Sequence, residues 1–366
     1  MLTRALRRLE GESLVSRLPY DHRVEYVATY FGIELCQLLE QLESLALSHL
    51  APPPDESSPD SSLSLTPLAH LSIAVRDMDV AAQALAVVLG CGTPSVLDLP
   101  VYALTNRKEH IRVCRFRTAN LDIELLQHRS GSGPFRDFIE RFGPGVEHLA
   151  FETRANRPAV AHRLELLGGR RTAGDAGDSN FTNVDFRSQL GMTIELLTDP
   201  SFDAAGPPCD AGPVRVTHLR AVVRDVRQAA GMYGEVFQLP RLVTKTVTVR
   251  SREYRARRLT AHSVRMAELN LQGITIGLME PVDGPAIWRN RLSSVGNGIY
   301  HLGLSLGRRP LSVVKGLREL GGRAVDLRLG GERTFVDLTP QLGLIIEMTE
   351  TAPPARSARR HTLPRG

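Results

Sequence analysis

The sequence lacks the features that mark several classes of protein. It has only four cysteines in 366 residues, Cys36, Cys91, Cys114 and Cys209, and no Cys-x-x-Cys pair. This argues against a disulfide framework and against a thiolate zinc knuckle. No run approaches 18 apolar residues, and the N-terminus has no apolar segment of the secretory kind. We therefore expect a cytoplasmic protein with no membrane span.

Aromatic residues and excess charge are also scarce. Aromatic side chains make up 5% of the chain, with a single tryptophan, Trp288, and offer no platform for stacking bases. The net charge is +5, but four arginines lie in a tail, residues 351–366, that has no acidic residue, so residues 1–350 carry only +1. A nucleic-acid partner would need a basic face within the folded part. We expect no such partner and a disordered tail.

What the sequence does contain is an internal repeat. In the first pair of segments, LAHLSIAVRDMDVAAQALAVVLG (68–90) matches VTHLRAVVRDVRQAAGMYGEVFQ (216–238). Two further pairs match: GPGVEHLAFET (143–153) with GNGIYHLGLSL (296–306), and LGMTIELLTDP (190–200) with LGLIIEMTET (342–351). The offset of about 150 residues indicates a duplicated architecture.

The repeat also predicts the fold class. Alternating apolar residues predict half-buried strands, and the helical spacing after each Val-Arg-Asp predicts a short helix that begins at a polar cap. Four units of one strand, one helix and three strands result, at about 66–128, 145–200, 215–281 and 298–350. We predict an α+β protein whose two repeated domains, 66–200 and 214–350, are joined by a linker at 201–213.

Two segments precede the repeat. Residues 1–50 contain two predicted helices, and the apolar stripe from residue 26 to residue 50 is compatible with packing on the core or with a homodimer. Residues 51–65, APPPDESSPDSSLSL, form a linker that is too polar and too rich in proline to build a core.

Histidines and glutamates occupy matched positions in the two halves. The first half has His70, Glu124, His148 and Glu195, and the second has His218, Gly277, His301 and Glu347. Glu124 precedes His148 by 24 residues, and Gly277 precedes His301 by the same number. The first half therefore offers four candidate ligands and the second half three.

These residue types suit a divalent first-row metal ion. Neutral imidazoles and carboxylates bind Zn, Mn, Ni, Co or Fe(II), and a Glu between apolar neighbours is costly to bury unless it is paired or ligating. An isolated histidine is more often an ordinary core or surface residue, and each Glu could instead face solvent. The matched set favours metal ligation over these alternatives.

These motifs together resemble the vicinal oxygen chelate superfamily, which includes glyoxalase I, methylmalonyl-CoA epimerase, extradiol dioxygenases and 4-hydroxyphenylpyruvate dioxygenase. The resemblance covers residues 66 to 350. It implies that paired βαβββ modules form two tandem open β-barrels with a metal on the concave inner face, preceded by the helical extension. The implied ligands are His70, Glu124, His148 and Glu195 in the first barrel, and His218, His301 and Glu347 as a possible second site.

The resemblance leaves the branch of the superfamily open. The four-ligand set resembles the epimerases, and among them the four-module cyclitol epimerases that act on 2-epi-5-epi-valiolone. This implies a metal-dependent epimerase or isomerase that moves a proton next to the ketone of a small hydroxy-ketone through an enediolate. Glu109 and Glu195 would be the catalytic acid and base, with His110 as the fallback base. Glu109 could instead be an exposed turn residue.

Two other functions remain as alternatives. The three-ligand set of the second domain resembles the non-haem Fe(II) dioxygenases, and a metal-free binding or resistance protein is the third hypothesis. A group of arginines near the first barrel is compatible with an anionic substrate or with a solvated strand face; it comprises Arg107, Arg112, Arg115 and Arg117.

Overall fold

The computed structural model describes residues 2–12, 14–20, 23–28, 68–102, 108–153, 157–174, 180–198, 208–252, 260–271, 273–283, 286–307, 310–328 and 333–350. The predicted linker at 51–65, the basic tail and most of the apolar stripe at 26–50 lie outside these residues. Within the described ranges, no helix has both the length and the apolar character needed to cross a bilayer.

The prediction that residues 1–50 are helical is wrong in part. Helix α1 (Leu2–Gly11) is followed by two antiparallel strands, β1 (Val15–Tyr20) and β2 (Arg23–Ala28). Pro19 is unfavourable inside a helix but is tolerated in a two-stranded sheet, where both strands are edges. The alternating sequence of β2, which carries two valines and a tyrosine, favours a strand as well.

The first domain contains two βαβββ units that share one sheet. The first unit consists of β3 (Leu68–Ala74), α2 (Met78–Leu89), β4 (Leu97–Tyr102), β5 (Lys108–Arg117) and β6 (Asp122–Gly131). After α3 (Pro134–Phe142), the second unit consists of β7 (Gly145–Glu152), α4 (Arg157–Leu166), β8 (Arg170–Gly174), β9 (Phe181–Asp185) and β10 (Thr193–Leu197). The strand order is β5-β6-β3-β7-β10-β9-β8, and β4 pairs with β5. Strand β11 (Cys209–Asp210), from the segment predicted as a linker, also pairs with β5.

The second domain repeats this plan. Its third unit consists of β12 (Arg215–Val222), α5 (Val226–Phe237), β13 (Lys245–Arg252), β14 (Thr260–Leu271) and β15 (Ile274–Pro281). After α6 (Ala286–Val295), the fourth consists of β16 (Gly298–Ser305), α7 (Pro310–Glu319), β17 (Arg323–Arg328), β18 (Thr334–Leu338), α8 (Thr339–Leu342) and β19 (Leu344–Thr349). The predicted α+β fold of four units in two tandem barrels is confirmed. In the second domain the described strands form a closed barrel, because the end of β13 pairs with β17.

The repeated Val-Arg-Asp motif starts a helix in each domain. Asp77 precedes α2, and its carboxylate accepts hydrogen bonds from the backbone N–H groups of Asp79 at 3.0 Å and Val80 at 3.1 Å. Asp225 caps α5 in the same way. A carboxylate at this position satisfies N–H groups that have no partner inside the helix. Helix capping therefore explains the aspartate of this motif.

Two glycines allow the domains to approach each other closely. Gly191 has a φ of 75° and Gly343 a φ of 69°, and both follow the leucine of the repeated Leu-Gly motif. A Cβ added at Gly191 would overlap the backbone at Asn297 and Gly298, and one added at Gly343 would overlap the carbonyl of Pro144. The Leu-Gly motif of each domain thus packs on the Gly-x-Gly motif of the other.

The outer helices complete the interface between the domains. Helix α2 of the first domain packs against α7 and α8 of the second. Tyr233 on α5 donates a hydrogen bond to the carbonyl of Leu190 at 3.2 Å, and the rings of Phe151 and Phe237 lie 5.4 Å apart. One continuous hydrophobic core therefore runs through both domains.

We expect Gly191→Ala and Gly343→Ala each to lower the free energy of unfolding by about 2 kcal/mol or more, because each adds positive-φ strain and a backbone overlap. Gly231→Ala is the matched control, since Gly231 lies in α5 with open space around it, and there alanine stabilises by up to about 1 kcal/mol. Urea unfolding of the three variants measures the difference. Equal stability of Gly191→Ala and Gly231→Ala would contradict the close approach of the domains.

Candidate metal centre

Each of the four matched histidines follows a β-bulge. The extra residues are Ala69, Glu147, Thr217 and Tyr300, which immediately precede His70, His148, His218 and His301. A bulge re-aims the side chains on its strand, and bulges are frequent next to active sites. The same local feature, a β-bulge, therefore orients all four histidine side chains.

The first-barrel cluster comes from two neighbouring rows of paired residues. Ser72 on β3 pairs with Glu124 on β6 and with His148 on β7, and paired residues point to the same face of a sheet. His70 lies two residues before Ser72 and shares that face. On the neighbouring strand β10, Glu195 completes the cluster. The four predicted ligands of the first barrel are brought together.

The ligand atoms of His70, Glu124 and His148 all lie within 4.8 Å of one another, and Glu195 contacts both histidines. The Nε2 atoms of His70 and His148 lie 3.2 Å apart, and His70 Nε2 lies 3.3 Å from Glu124 Oε2. Glu195 Oε2 lies 3.1 Å from His70 Nε2 and 3.4 Å from His148 Nε2. With metal–ligand bonds of about 2.1 Å, neighbouring ligands are about 3.0 Å apart in an octahedron and about 3.4 Å in a tetrahedron. The observed separations fall within this range.

Other side chains orient these candidate ligands. Glu147 Oε2 lies 2.6 Å from Nδ1 of His148, and Thr193 donates a hydrogen bond to Glu147 Oε1 at 3.2 Å. A carboxylate behind a ligating histidine fixes the ring and makes it a stronger ligand. Arg115 donates to Glu124 Oε1 through Nε at 2.9 Å and Nη2 at 2.5 Å, which leaves Oε2 facing the histidines.

The charges of the first cluster favour a divalent cation. Burial acts to raise the pKa of Glu195, but His148 and His70 outweigh it and lower that pKa. Burial acts to lower the pKa of His148, but the Glu195 and Glu147 carboxylates raise it well above its usual value. When both imidazoles are neutral, as metal ligation requires, three carboxylates and the Arg115 guanidinium give this buried cluster a charge of −2. A divalent first-row ion held by His70, Glu124, His148 and Glu195 fits these donors and this charge.

The second-barrel cluster is smaller. His218 Nε2 lies 3.0 Å from Glu347 Oε2, and His301 Nε2 lies 2.9 Å from the same oxygen. Arg333 on the loop before β18 forms an ion pair with Glu347 Oε1. The three predicted residues of the second site are therefore brought together, and their ligand atoms lie within 4.8 Å of one another.

The two clusters differ behind the histidines as well. Tyr300 stands where the first domain has Glu147, and its hydroxyl donates to the carbonyl of Gly296 at 2.7 Å. Both ring nitrogens of His301 are buried and lack a hydrogen bond among the described residues, although Nε2 lies close to Glu347 Oε2. Burial lowers the pKa of His301 to about 4, although the nearby carboxylate acts to raise it.

Glu109 is neither an exposed turn residue nor part of the cluster. Its side chain is 1% exposed, and it accepts hydrogen bonds from the backbone N–H groups of Arg136 at 2.6 Å and Phe135 at 3.3 Å, in the first turn of α3. Burial raises its pKa to about 7, against the lowering effect of these two bonds. The charge of Glu147 raises it further, so Glu109 lies within electrostatic range of the cluster. The fallback base His110 is half-buried on the same strand.

The arginines near the first barrel do not form one basic patch. Arg115 is buried against Glu124, Arg112 pairs with Asp79, and Arg117 pairs with Asp122; Arg107 lies outside the described residues. Sequence reasoning missed the roles of Arg115 and Glu147. It also missed Ser72, whose hydroxyl donates a hydrogen bond to Glu124 Oε2 at 3.0 Å. A comparison of the two halves could have drawn attention to Ser72 and Glu147, because the second half has Arg220 and Tyr300 at those positions.

Comparisons with known proteins support the fold. No family model matches the sequence, and no curated protein matches it. The structure is similar to that of a triple mutant of 4-hydroxymandelate synthase from Streptomyces coelicolor, with 19% identity and a TM-score of 0.50 over 77% of this chain and 92% of that one. It is also similar to a xylose isomerase-like TIM barrel/4-hydroxyphenylpyruvate dioxygenase fusion protein, with 13% identity and a TM-score of 0.48 over 87% of this chain and 55% of that one. At 19% identity the likeness to the 4-hydroxymandelate synthase mutant shows the shared fold alone.

We expect Glu147→Gln to weaken metal binding by about 10- to 100-fold, because His148 loses the carboxylate that orients it. Tyr300→Phe is the control at the equivalent position of the second domain, and it should leave metal affinity unchanged. Calorimetric titration of the chelator-treated protein with Mn²⁺ compares the two variants. Equal affinities would contradict the role of Glu147.

The raised pKa of Glu109 makes stability depend on pH. Because its folded pKa of about 7 exceeds the ordinary value of 4.5, the folded state holds this proton more tightly, and stability is lost as pH rises between these values. Glu109→Gln cannot ionise, so the stability of this variant relative to wild type should rise by about 1–3 kcal/mol from pH 5 to pH 8. Denaturant unfolding across this range measures it, and a difference that does not change with pH would contradict the assignment.

Proposed function

We propose that the protein is a divalent-metal-dependent epimerase or isomerase whose active site is the cluster of the first barrel. The observation that carries the proposal is the convergence of two imidazole nitrogens and two carboxylate oxygens within 3.1–3.4 Å contacts inside a buried cluster. When bound, the ion would act as a Lewis acid on a ketone oxygen and so make the neighbouring C–H bond more acidic.

Two carboxyl groups are proposed to move the proton. Epimerisation needs one group that removes a proton from one face of the substrate and another that returns a proton to the opposite face. Glu195 Oε2 borders the cluster and is proposed as one of them. Glu109, with a pKa of about 7, can both hold and release a proton near neutral pH and is proposed as the other. Its hydrogen bonds to the first turn of α3 hold its carboxyl group in place.

The proposed substrate is a small hydroxy-ketone of the cyclitol type, such as 2-epi-5-epi-valiolone. Four protein ligands leave two positions of an octahedron open, which suits a ketone oxygen and the hydroxyl next to it. The resemblance of the four-module chain to cyclitol epimerases supports this choice.

A non-haem Fe(II) dioxygenase is the second candidate. His218, His301 and Glu347 form a two-histidine, one-carboxylate set, which is the ligand pattern of many Fe(II) oxygenases. The fold shared with 4-hydroxymandelate synthase is compatible with this candidate. A metal-free binding protein is the third, and it predicts that no ion binds to either cluster.

Turnover in D₂O tests the proposal. We expect the product formed from 2-epi-5-epi-valiolone to carry deuterium at the epimerised carbon. His70→Ala should lower the rate by about 10³-fold or more, because the Lewis acid contributes several kcal/mol. His218→Ala, at the equivalent position of the second domain, is the matched control and should leave the rate within about twofold of wild type.

The same variants, assayed also for oxygen consumption and metal content, separate the candidates. Product without deuterium would overturn proton transfer at this carbon. Oxygen consumption that depends on Fe(II) and is lost in His218→Ala but kept in His70→Ala would favour the dioxygenase. Wild-type protein that binds no metal ion would favour the binding protein.

A further inference from the structure

The charges around the second cluster differ in sign from those around the first. Among the described residues, Glu347 is the only carboxylate in contact with the two histidines, and its second oxygen is ion-paired with Arg333. The Arg220 guanidinium also lies within electrostatic range of Glu347. With neutral imidazoles, these three charged groups sum to +1, compared with −2 in the first cluster. A divalent cation would therefore be repelled here.

Arg220 accounts for part of the difference in charge between the two clusters. Arg220 pairs with Gly277 in the sheet, as Ser72 pairs with Glu124 in the first barrel. The Arg220 side chain covers this glycine. A Cβ added at Gly277 would lie 3.4 Å from Nη1 of Arg220. A guanidinium group thus lies over the position from which the first barrel presents its fourth ligand.

The neighbouring strand carries the complementary exchange. Glu268 on β14 pairs with Gly277 on β15. At the equivalent place in the first barrel, Arg115 pairs with Glu124. Lys245 forms an ion pair with Glu268 at 2.9 Å. The second domain therefore carries its arginine and its glutamate on different strands from those of the first domain. Its glutamate, Glu268, is neutralised by Lys245.

No other carboxylate of the described residues replaces the missing ligand. Glu280, three residues after Gly277, accepts a hydrogen bond from the N–H of Val226 and pairs with Arg265. Tyr300 cannot support His301 as Glu147 supports His148, because its hydroxyl is bonded to Gly296. The second cluster lacks both the fourth ligand and the orienting carboxylate.

We infer that the second barrel holds no divalent cation, and that the guanidinium groups of Arg220 and Arg333 supply the positive charge that the first barrel obtains from a metal ion. The chain then binds one ion. This inference concerns the second barrel and does not depend on which reaction the first barrel performs.

Metal counting on the purified full chain tests this inference. The protein is stripped with a chelator, loaded with excess Mn²⁺ and freed of unbound ion before elemental analysis. We expect about one ion per wild-type chain, about one in His218→Ala and about none in His70→Ala. Two ions per wild-type chain, or loss of the ion in His218→Ala alone, would overturn the inference.

A second variant tests the same point by gain of binding. Arg220→Ser combined with Gly277→Glu gives the second barrel the residue pair of the first, Ser72 and Glu124. We expect about two ions per chain in this variant, and about one when it is combined with His70→Ala. Arg220→Ser alone is the control and should still bind about one. A folded double variant, verified by circular dichroism and cooperative unfolding, that gains no ion would contradict the role given to Arg220.

These outcomes distinguish failure of the inference from failure of the proposed function. If the wild type binds no ion but the Arg220→Ser/Gly277→Glu variant binds one, the inference stands and the metal-dependent reaction is wrong. If the wild type binds one ion that only His218→Ala removes, the inference is wrong and the ion belongs to the second barrel.

Discussion

The first-barrel cluster brings like charges together, and their mutual repulsion is the constraint on which the proposed metal site depends. Both Glu124 and Glu195 approach the same nitrogen of His70, at 3.3 Å and 3.1 Å. Two carboxylates so placed repel each other by at least about 2.5 kcal/mol at an effective dielectric constant of about 20. Arg115 neutralises only one of them. A cation held between these ligand atoms would turn this repulsion into attraction.

The two domains share one scaffold but differ in the charged groups around their histidines. Both domains place two bulge-directed histidines and a final-strand glutamate on an inner barrel face. The first keeps four donors and an excess of negative charge. In the second, guanidinium groups lie beside the glutamate. The domains pack through matched glycine motifs and share one core, and neither contains a residue of these charged clusters.

Much of the fold could be predicted from the sequence, because the repeat fixed the number and order of the units and strand alternation fixed their faces. The candidate ligands were found for the same reason, since matched positions in two halves carry more information than any single histidine. The contacts of Arg115 with Glu124 could not be found in this way, because they depend on strand pairing across the sheet. Nor could the bulges, which break the alternation on which strand prediction rests. Pro19 and the alternation around Tyr26 did signal the N-terminal strands, but a helix was predicted there.

The location of the bound ion tests the central claim most directly. Crystals of the Mn²⁺-loaded protein, measured at the manganese absorption edge, give an anomalous difference map that shows each ion without reference to activity. Our account predicts one peak per chain, bonded to Nε2 of His70 and His148 and to the carboxylates of Glu124 and Glu195. A peak between His218, His301 and Glu347 with none in the first barrel would contradict it.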